Sequence, residues 1–196
     1  MAQQRDFGAV LEGAKKGEHW AVALLFEDVQ PRLLRYLRSR DHSAADDIAG
    51  EVWEAIARGI RSFEGDDSDF RGWAFTIARR RLIDHGRRRE RRKTELADDM
   101  TFTALPAAEM ADRAAIDHLS AQEAIAVITS CLSEEQAEVV LLRVVGGMDT
   151  HLVAEAMQRS ESWVRVTQHR ALKRLADQVD RDLAPLGVTP LPRHTM

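Results

Sequence analysis

An all-α fold in two small helical domains follows from three features of the sequence. Strand signals are nearly absent, because β-branched residues nowhere alternate with polar ones over a useful length. Apolar residues recur instead at offsets of three and four along most of the chain. Between residues 94 and 115 that periodicity fades into acidic, Ala-rich sequence containing Pro106, which reads as a flexible linker between domains at 1–93 and 116–182. Residues 183–196 are Pro-rich and read as a disordered tail.

The elements follow in order. Ala21, Leu25, Val29, Leu33 and Leu37 repeat every four residues, with Leu24 and Leu34 widening the stripe. This spacing predicts a helix over 19–39, or a pair of helices meeting at Pro31. Ser43 followed by Asp46 has the form of a capping box, and Ile48, Val52, Ile56 and Ile60 supply the buried face of the next helix. Gly65, Asp66 and Asp67 mark a loop, after which Phe70, Trp73, Ala74 and Ile77 open a third long helix. Beyond the linker, Ile116, Leu119, Ala124, Val127 and Ile128 predict another. Ser133 with Gln136 forms a second candidate capping box, Val139, Val140, Leu142 and Val144 supply apolar surface, and Gly146-Gly147 ends that helix. Asp149 or Thr150 can cap a short helix carrying Leu152, Val153, Ala156 and Met157. A turn at Gln158 and Arg159 then leads to Ser160, a cap for a longer helix through about Gln178. Two helices joined by so tight a turn fit a helix-turn-helix.

Composition narrows the function. The hydrophobic fraction of 44% is ordinary, and no apolar run approaches the ~18 residues of a membrane span, so no membrane insertion is expected. The N-terminal stretch lacks the continuous apolar segment of a secretory signal, which makes the cytoplasm the default location. Cys131 is the only cysteine, which excludes an internal disulfide and a multi-cysteine zinc site. The formal net charge of −4 conceals a strong separation. Residues 79–93 hold nine basic side chains against two acidic ones, or +7, whereas residues 94–136 hold nine carboxylates against Arg113 alone, or −8. An anionic ligand meets the local charge, not the total.

Three constellations bear on chemistry. In the last helix, Val164, Ala171, Leu172 and Leu175 fall on one side and Glu161, Arg165, Gln168 and His169 on another, with Arg170, Lys173 and Arg174 towards its end. In a DNA major groove, Arg165 could pair with guanine and Gln168 with adenine, while the later cations hold phosphates. On the second helix, Asp47, Glu51, Glu54 and Arg58 form a stripe that periodicity alone would leave to solvent. In the third, Trp73 and Phe75 lie about 200° apart at ~100° per residue, too far to share a narrow buried stripe. Aromatics beside clustered arginines suit unpaired bases, which stack on rings while phosphates meet the cations. Phe75 packing on a neighbouring helix is the equal alternative. No H-E-x-x-H, G-x-x-x-x-G-K-[ST] or G-x-G-x-x-G pattern occurs, so catalysis, a metal and a cofactor are not expected.

Together the two halves resemble an extracytoplasmic-function sigma factor of the sigma-70 family, over roughly residues 19–92 and 118–178. "ADDIAGEVWEAIARG" is similar to the helix that docks on the clamp of core RNA polymerase, and "FRGWAFTIARRRLIDHGRRR" to the promoter-melting and −10-reading segment. "LSEEQAEVVLLRVVGGMDTHLVAEAMQRSESWVRVTQHRALKRLA" resembles the −35-reading helix-turn-helix domain. The resemblance implies polymerase contacts, to the β′ clamp and the β flap, with Asp47, Glu51 and Glu54 as clamp contacts. It implies −10 DNA contacts at Trp73, Phe75, Arg79, Arg80, Arg87 and Arg88, and −35 contacts at Ser162, Arg165, Gln168, His169, Arg170 and Lys173. It further implies an anti-sigma partner that occludes both domains. The sequence departs from the family's pattern at Gly50, often glutamine there, at Arg80, commonly asparagine, and at Gln158, often glycine. Two rivals are a helix-turn-helix repressor or activator without a sigma role, and a nucleic-acid enzyme built on Asp84 and His85.

Overall fold

A computed structural model describes residues 6–95 and 123–183, and these residues form eight α-helices and one 3-10 turn, with no strand among them. Most of the expected linker, the helix start at Ile116 and Leu119 and the expected tail from 184 onward lie outside the described residues.

The first helix, α1 (Phe7–Lys15), occupies a stretch to which the sequence reading assigned no element. Asp6 caps it by accepting from the Gly8 N–H at 3.1 Å, and Val10, Leu11 and Ala14 turn inward. Then α2 (His19–Arg40) runs unbroken through Pro31. The ring is exposed, as is Glu27, whose carbonyl loses its intrahelical donor and is left on a wet face. Ala21, Leu25, Val29, Leu33 and Leu37 are buried as the four-residue repeat predicts, joined by Tyr36.

The capping box expected at Ser43 and Asp46 does not form. Ala44 takes the cap position of α3 (Ala45–Gly59) without a side-chain bond, and Asp46 pairs with Arg38 at 3.3 Å. Asp41 organises the turn instead: its Oδ1 accepts from the Ser43 hydroxyl at 2.7 Å, the Ser43 N–H at 3.2 Å and the Ala44 N–H at 3.3 Å. Asp41 thereby takes the Ser43 N–H that the box would have given to Asp46, whose carboxylate is turned to Arg38 instead. Partial burial works against the Asp41 charge, but the Ser43 and Ala44 hydrogen bonds outweigh it, helped by Arg89 and His85, and its pKa falls below the ordinary 3.8. A depressed carboxylate stabilises the fold above its ordinary pKa and loses that contribution as pH drops through the folded value. Denaturant melts across about pH 5 to 3 should show Asp41→Asn to be less acid-sensitive than the parent, after a cost of about 1 kcal/mol at neutral pH.

A 3-10 turn (Ile60–Ser62) leads to α4 (Asp67–Glu95), the longest helix described. Its start is closed by a reciprocal pair, Asp66 Oδ1 accepting from the Asp69 N–H and Asp69 Oδ2 from the Asp66 N–H, both at 2.9 Å. Phe7, Phe63, Phe70 and Trp73 form an aromatic cluster at this end, with centroids 5.1–6.2 Å apart.

Beyond the undescribed segment, α5 spans 123–131. The Ser133–Gln136 box does form, with bonds of 3.3 and 3.4 Å, and starts α6 (Glu134–Val144). Asp149 caps α7 (Thr150–Met157) by accepting from the Leu152 N–H at 2.8 Å. Gln158, at φ 55°, turns the chain in the left-handed conformation. Ser160 then accepts from the Trp163 N–H at 3.2 Å and starts α8 (Glu161–Leu183), which outlasts its expected end at Gln178.

The apolar core is continuous across the two halves. Leu33, Tyr36, Ile48, Val52, Phe70 and Phe75 belong to the same buried cluster as Val139, Leu141, Leu142, Met148, Val153 and Val164. A smaller cluster joins Leu132, Val140 and Ala171 under α8.

Candidate polymerase and nucleic-acid interfaces

Because Ile48, Val52 and Ile56 hold α3 to the core, its opposite face is fixed towards solvent. Asp47 and Glu54 are exposed there and Glu51 is half-exposed. Among the described residues Glu54 pairs only with Arg58 of its own helix, at 3.6 Å, and Glu51 reaches Arg81 of α4 at 3.5 Å. Asp47 has no ion pair among the described residues. Beside this stripe, between α2 and α3, lies an apolar groove that includes Val22, Phe26, Gly50 and Trp53. Phe26 and Val22 remain 44% and 42% exposed, and the Phe26 ring lies 5.0 Å from that of Trp53. Trp53 donates to Gln30 at 2.6 Å, which fixes the wall of the groove. Sequence reasoning missed Val22, Phe26 and Trp53. The available signal was that Val22 and Phe26 fall off the buried repeat of α2 while being too large and apolar for a solvent face.

The helix α4 is packed on two sides, which resolves the 200° separation of its rings. Trp73 stacks on Phe63 at 5.1 Å and 21°, towards the 3-10 turn. Phe75 points the other way and is fully buried, 5.4 Å from the Tyr36 ring and in contact with the Gly146 position. One turn on, Arg79 pairs with Glu138 at 3.3 Å and donates to the Ala156 carbonyl at 3.2 Å. Past this point the helix emerges. Arg80, Arg87 and Arg88 are exposed and have no ion pair among the described residues, whereas Arg81 and Arg89 are drawn to Glu51 and Asp41. The expected −10 residues therefore divide into a free set and a covered set.

Around Glu138 the two halves meet. Its carboxylate, only 6% exposed, accepts from the Tyr36 hydroxyl at 2.6 Å and lies 3.3 Å from both Arg40 and Arg79. Burial, then the neighbouring Glu138 charge and its hydrogen bond, push the Tyr36 phenol well above its ordinary pKa.

On α8, Val164, Thr167 and Ala171 face inward at helical spacing, while Leu172, expected on that side, is 48% exposed. Ser162, Arg165, His169, Arg170 and Lys173 are exposed together, on the outer side of the helix-turn-helix. Gln168 departs from them. One turn beyond Val164, it is half-buried and accepts from Arg143 Nε at 3.3 Å, while Arg143 also donates to the Met148 carbonyl at 2.6 Å. Among the described residues Arg165 is paired only with Glu161 of its own first turn, at 3.2 Å. The first turn of α7 is held by its cap, and Asp149→Ala should destabilise the chain by about 1 kcal/mol in urea unfolding.

Two segments match family models, residues 25–92 the one described as Sigma-70 region 2 and residues 122–175 that of Sigma-70, region 4. A relative from Caulobacter vibrioides, the ECF RNA polymerase sigma factor SigF, is 32% identical over 156 residues, covering 76% of this chain and 80% of the relative. Another, the ECF RNA polymerase sigma factor SigD of Mycobacterium bovis, is 29% identical over 191 residues, covering 90% and 85%. The chain belongs to the extracytoplasmic-function sigma factors of the sigma-70 family. Its fold is similar to that of the sigma factor RpoE in complex with the anti-sigma factor NepR from Bartonella quintana, with a TM-score of 0.61 at 22% identity over 79% of this chain and 94% of that one. CnrH in complex with the cytosolic domain of CnrY gives 0.60 at 21%, over 89% and 97%.

Proposed function

We propose that this sigma factor docks on core RNA polymerase through the outer face of α3, reads −35 duplex DNA with α8 and captures −10 bases with α4, acting by binding rather than catalysis. The division of labour assigns 1–93 to polymerase and the −10 element and 116–182 to the −35 element. One observation carries the reading: the exposed acidic stripe on α3 and the exposed cations on α8 lie on different elements, each held outward by its own buried face. A cationic patch on polymerase and the phosphates of a promoter can thus be engaged at once. The groove at Phe26 and Trp53 adds apolar area beside the acidic contact, the combination that marks protein interfaces. The cytoplasm is the compartment in which polymerase would be met.

A repressor or activator would use α7 and α8 but would leave the α3 stripe and its groove without a role. Transcription in vitro with purified core enzyme separates the readings. Addition of this chain should produce promoter-specific transcripts from core alone. Binding of promoter DNA with no core binding and no transcript would favour the repressor. Promoter affinity should fall steeply with salt, by ~0.9 log units per neutralised phosphate per decade.

A further inference from the structure

The outer face of α2 carries a cavity that the polymerase and DNA contacts proposed above leave unused. It lies between α2 and α5, holds about 580 Å³ and opens to solvent. Sites for small molecules commonly run to ~300–1,000 Å³, so the volume is ordinary for one. Leu34, Ile125 and Ala126 supply an apolar floor. Around it stand Arg35 and Arg38 of α2, one turn apart, and His42 in the turn that follows. The chain has 32 acidic side chains, yet none of the described ones lines this cavity. Asp46, outside it, meets Arg38 at 3.3 Å in an exposed pair. Arg35 is half-buried, and its guanidinium has neither an ion pair nor a hydrogen bond among the described residues. At the other end of the cavity Gln30 accepts from Trp53 through Oε1 at 2.6 Å, which leaves its amide N–H groups to donate. The lining is thus rich in donors and cations and short of acceptors. Withdrawing a cation from water without a counter-charge is unfavourable, and an anion set against it offsets that cost.

We propose that this cavity binds a small amphipathic anion, with a carboxylate or phosphate monoester head on Arg35 and Arg38 and an aliphatic body laid against Leu34, Ile125 and Ala126. Arg35 is the anchor. Its planar fork matches either head with two parallel N–H···O bonds, and it gives up no partner to form them. Arg38 joins by leaving Asp46, an exposed pair that is weak to begin with. The apolar floor sets the site apart from a simple phosphate site, because burial of the tail adds what a partly solvated ion contact lacks. Since α2 and α5 belong to different halves of the chain, the bound molecule rests on both. Nothing in this assignment depends on where polymerase or promoter DNA binds.

The test titrates the full chain by calorimetry with octanoate and octyl phosphate, beside acetate, which lacks the tail, and octan-1-ol, which lacks the charge. At least one of the two amphipathic anions should bind once per chain, at least about tenfold more tightly than acetate or octan-1-ol. The tighter of the two identifies the head as carboxylate or phosphate. Arg35→Gln removes the anchoring charge, and Ala126→Glu sets a carboxylate on an exposed position of the α5 wall. Each should weaken binding at least about fivefold while far-ultraviolet dichroism stays unchanged. Lys16→Gln, an exposed position away from the cavity, makes the same change in net charge and should bind as the parent does. Weakening in only one of the two cavity variants, with helix content kept, still places the head at this wall. Octan-1-ol binding as tightly as octanoate overturns the anion site, and so does the absence of binding by either anion at millimolar concentration. Parent affinity in both cavity variants overturns it as well, and would move the tail to the groove at Phe26 and Trp53.

Discussion

Reversing both carboxylates at the centre of the α3 stripe, Asp47→Lys with Glu51→Lys, should weaken binding to core RNA polymerase at least about a hundredfold, or ~3 kcal/mol. The size follows from placing like charges against a cationic partner, where juxtaposition costs several kcal/mol, more than the loss of an attraction alone. The fold should suffer little. Asp47 has no ion pair among the described residues and is exposed in the first turn of α3, so its loss removes a helix-dipole contribution of about 0.5 kcal/mol. Glu51 gives up one half-exposed pair with Arg81 at 3.5 Å, a class of contact worth about 0–1 kcal/mol. Equilibrium binding to labelled core, beside urea unfolding of each variant, distinguishes lost docking from lost structure. Gly50 supplies the opposite change. A Cβ there meets nothing within 4 Å, so Gly50→Gln fits the outer face and should stabilise α3 by roughly 0.5–1 kcal/mol. If the double reversal left core affinity within about twofold of the parent, α3 would not be the docking helix.

What could be read from the sequence was set by how local its cause is. The helical repeat of α2 and the caps at Ser133 and Asp149 depend on residues three or four apart, and they form as the spacing predicts. The Ser43 cap failed because Asp41, just before it, takes the Ser43 N–H and hydroxyl while Arg38 draws the Asp46 carboxylate away. Phe75 illustrates a non-local cause. Its angular distance from Trp73 showed that one narrow stripe could not bury both rings, but not that α4 would have a second buried side. That side is supplied by α2 and by Gly146, far away in sequence. Glu138 is the same problem in polar form: it falls among Val139, Val140 and Leu142, and nothing nearby in sequence announces Tyr36, Arg40 and Arg79 as its partners. Gln168 was placed with Arg165 on the periodicity of α8, yet it follows the buried Val164 by one turn and is claimed by Arg143. The groove at Phe26 and Trp53 went unread because two helices create it and neither repeat describes it.

The exposed residues of α8 lead to a prediction that separates sequence reading from phosphate binding. Arg165→Ala should weaken −35-dependent initiation by ~1–3 kcal/mol, roughly 5- to 150-fold, and only on promoters carrying the base it reads. Freeing the guanidinium costs little, since its present partner is Glu161 across 3.2 Å on an exposed face. Lys173, exposed two turns further along, should behave otherwise. Its alanine variant would lose affinity for all duplexes about equally and lower the salt slope by about 0.9, the signature of one phosphate contact removed. Gln168 provides the internal comparison. Held by Arg143, it would have to give up that bond to reach a base, and the half-buried guanidinium left short of a partner offsets part of what adenine could return. Gln168→Ala should accordingly change promoter choice less than Arg165→Ala does. Quantitative initiation on a set of promoters with each −35 base replaced in turn, run at two salt concentrations, resolves the three. Should Arg165→Ala leave promoter choice and strength as they were, α8 would be binding DNA through its phosphates alone, and the bases of the −35 element would have to be read elsewhere on the chain.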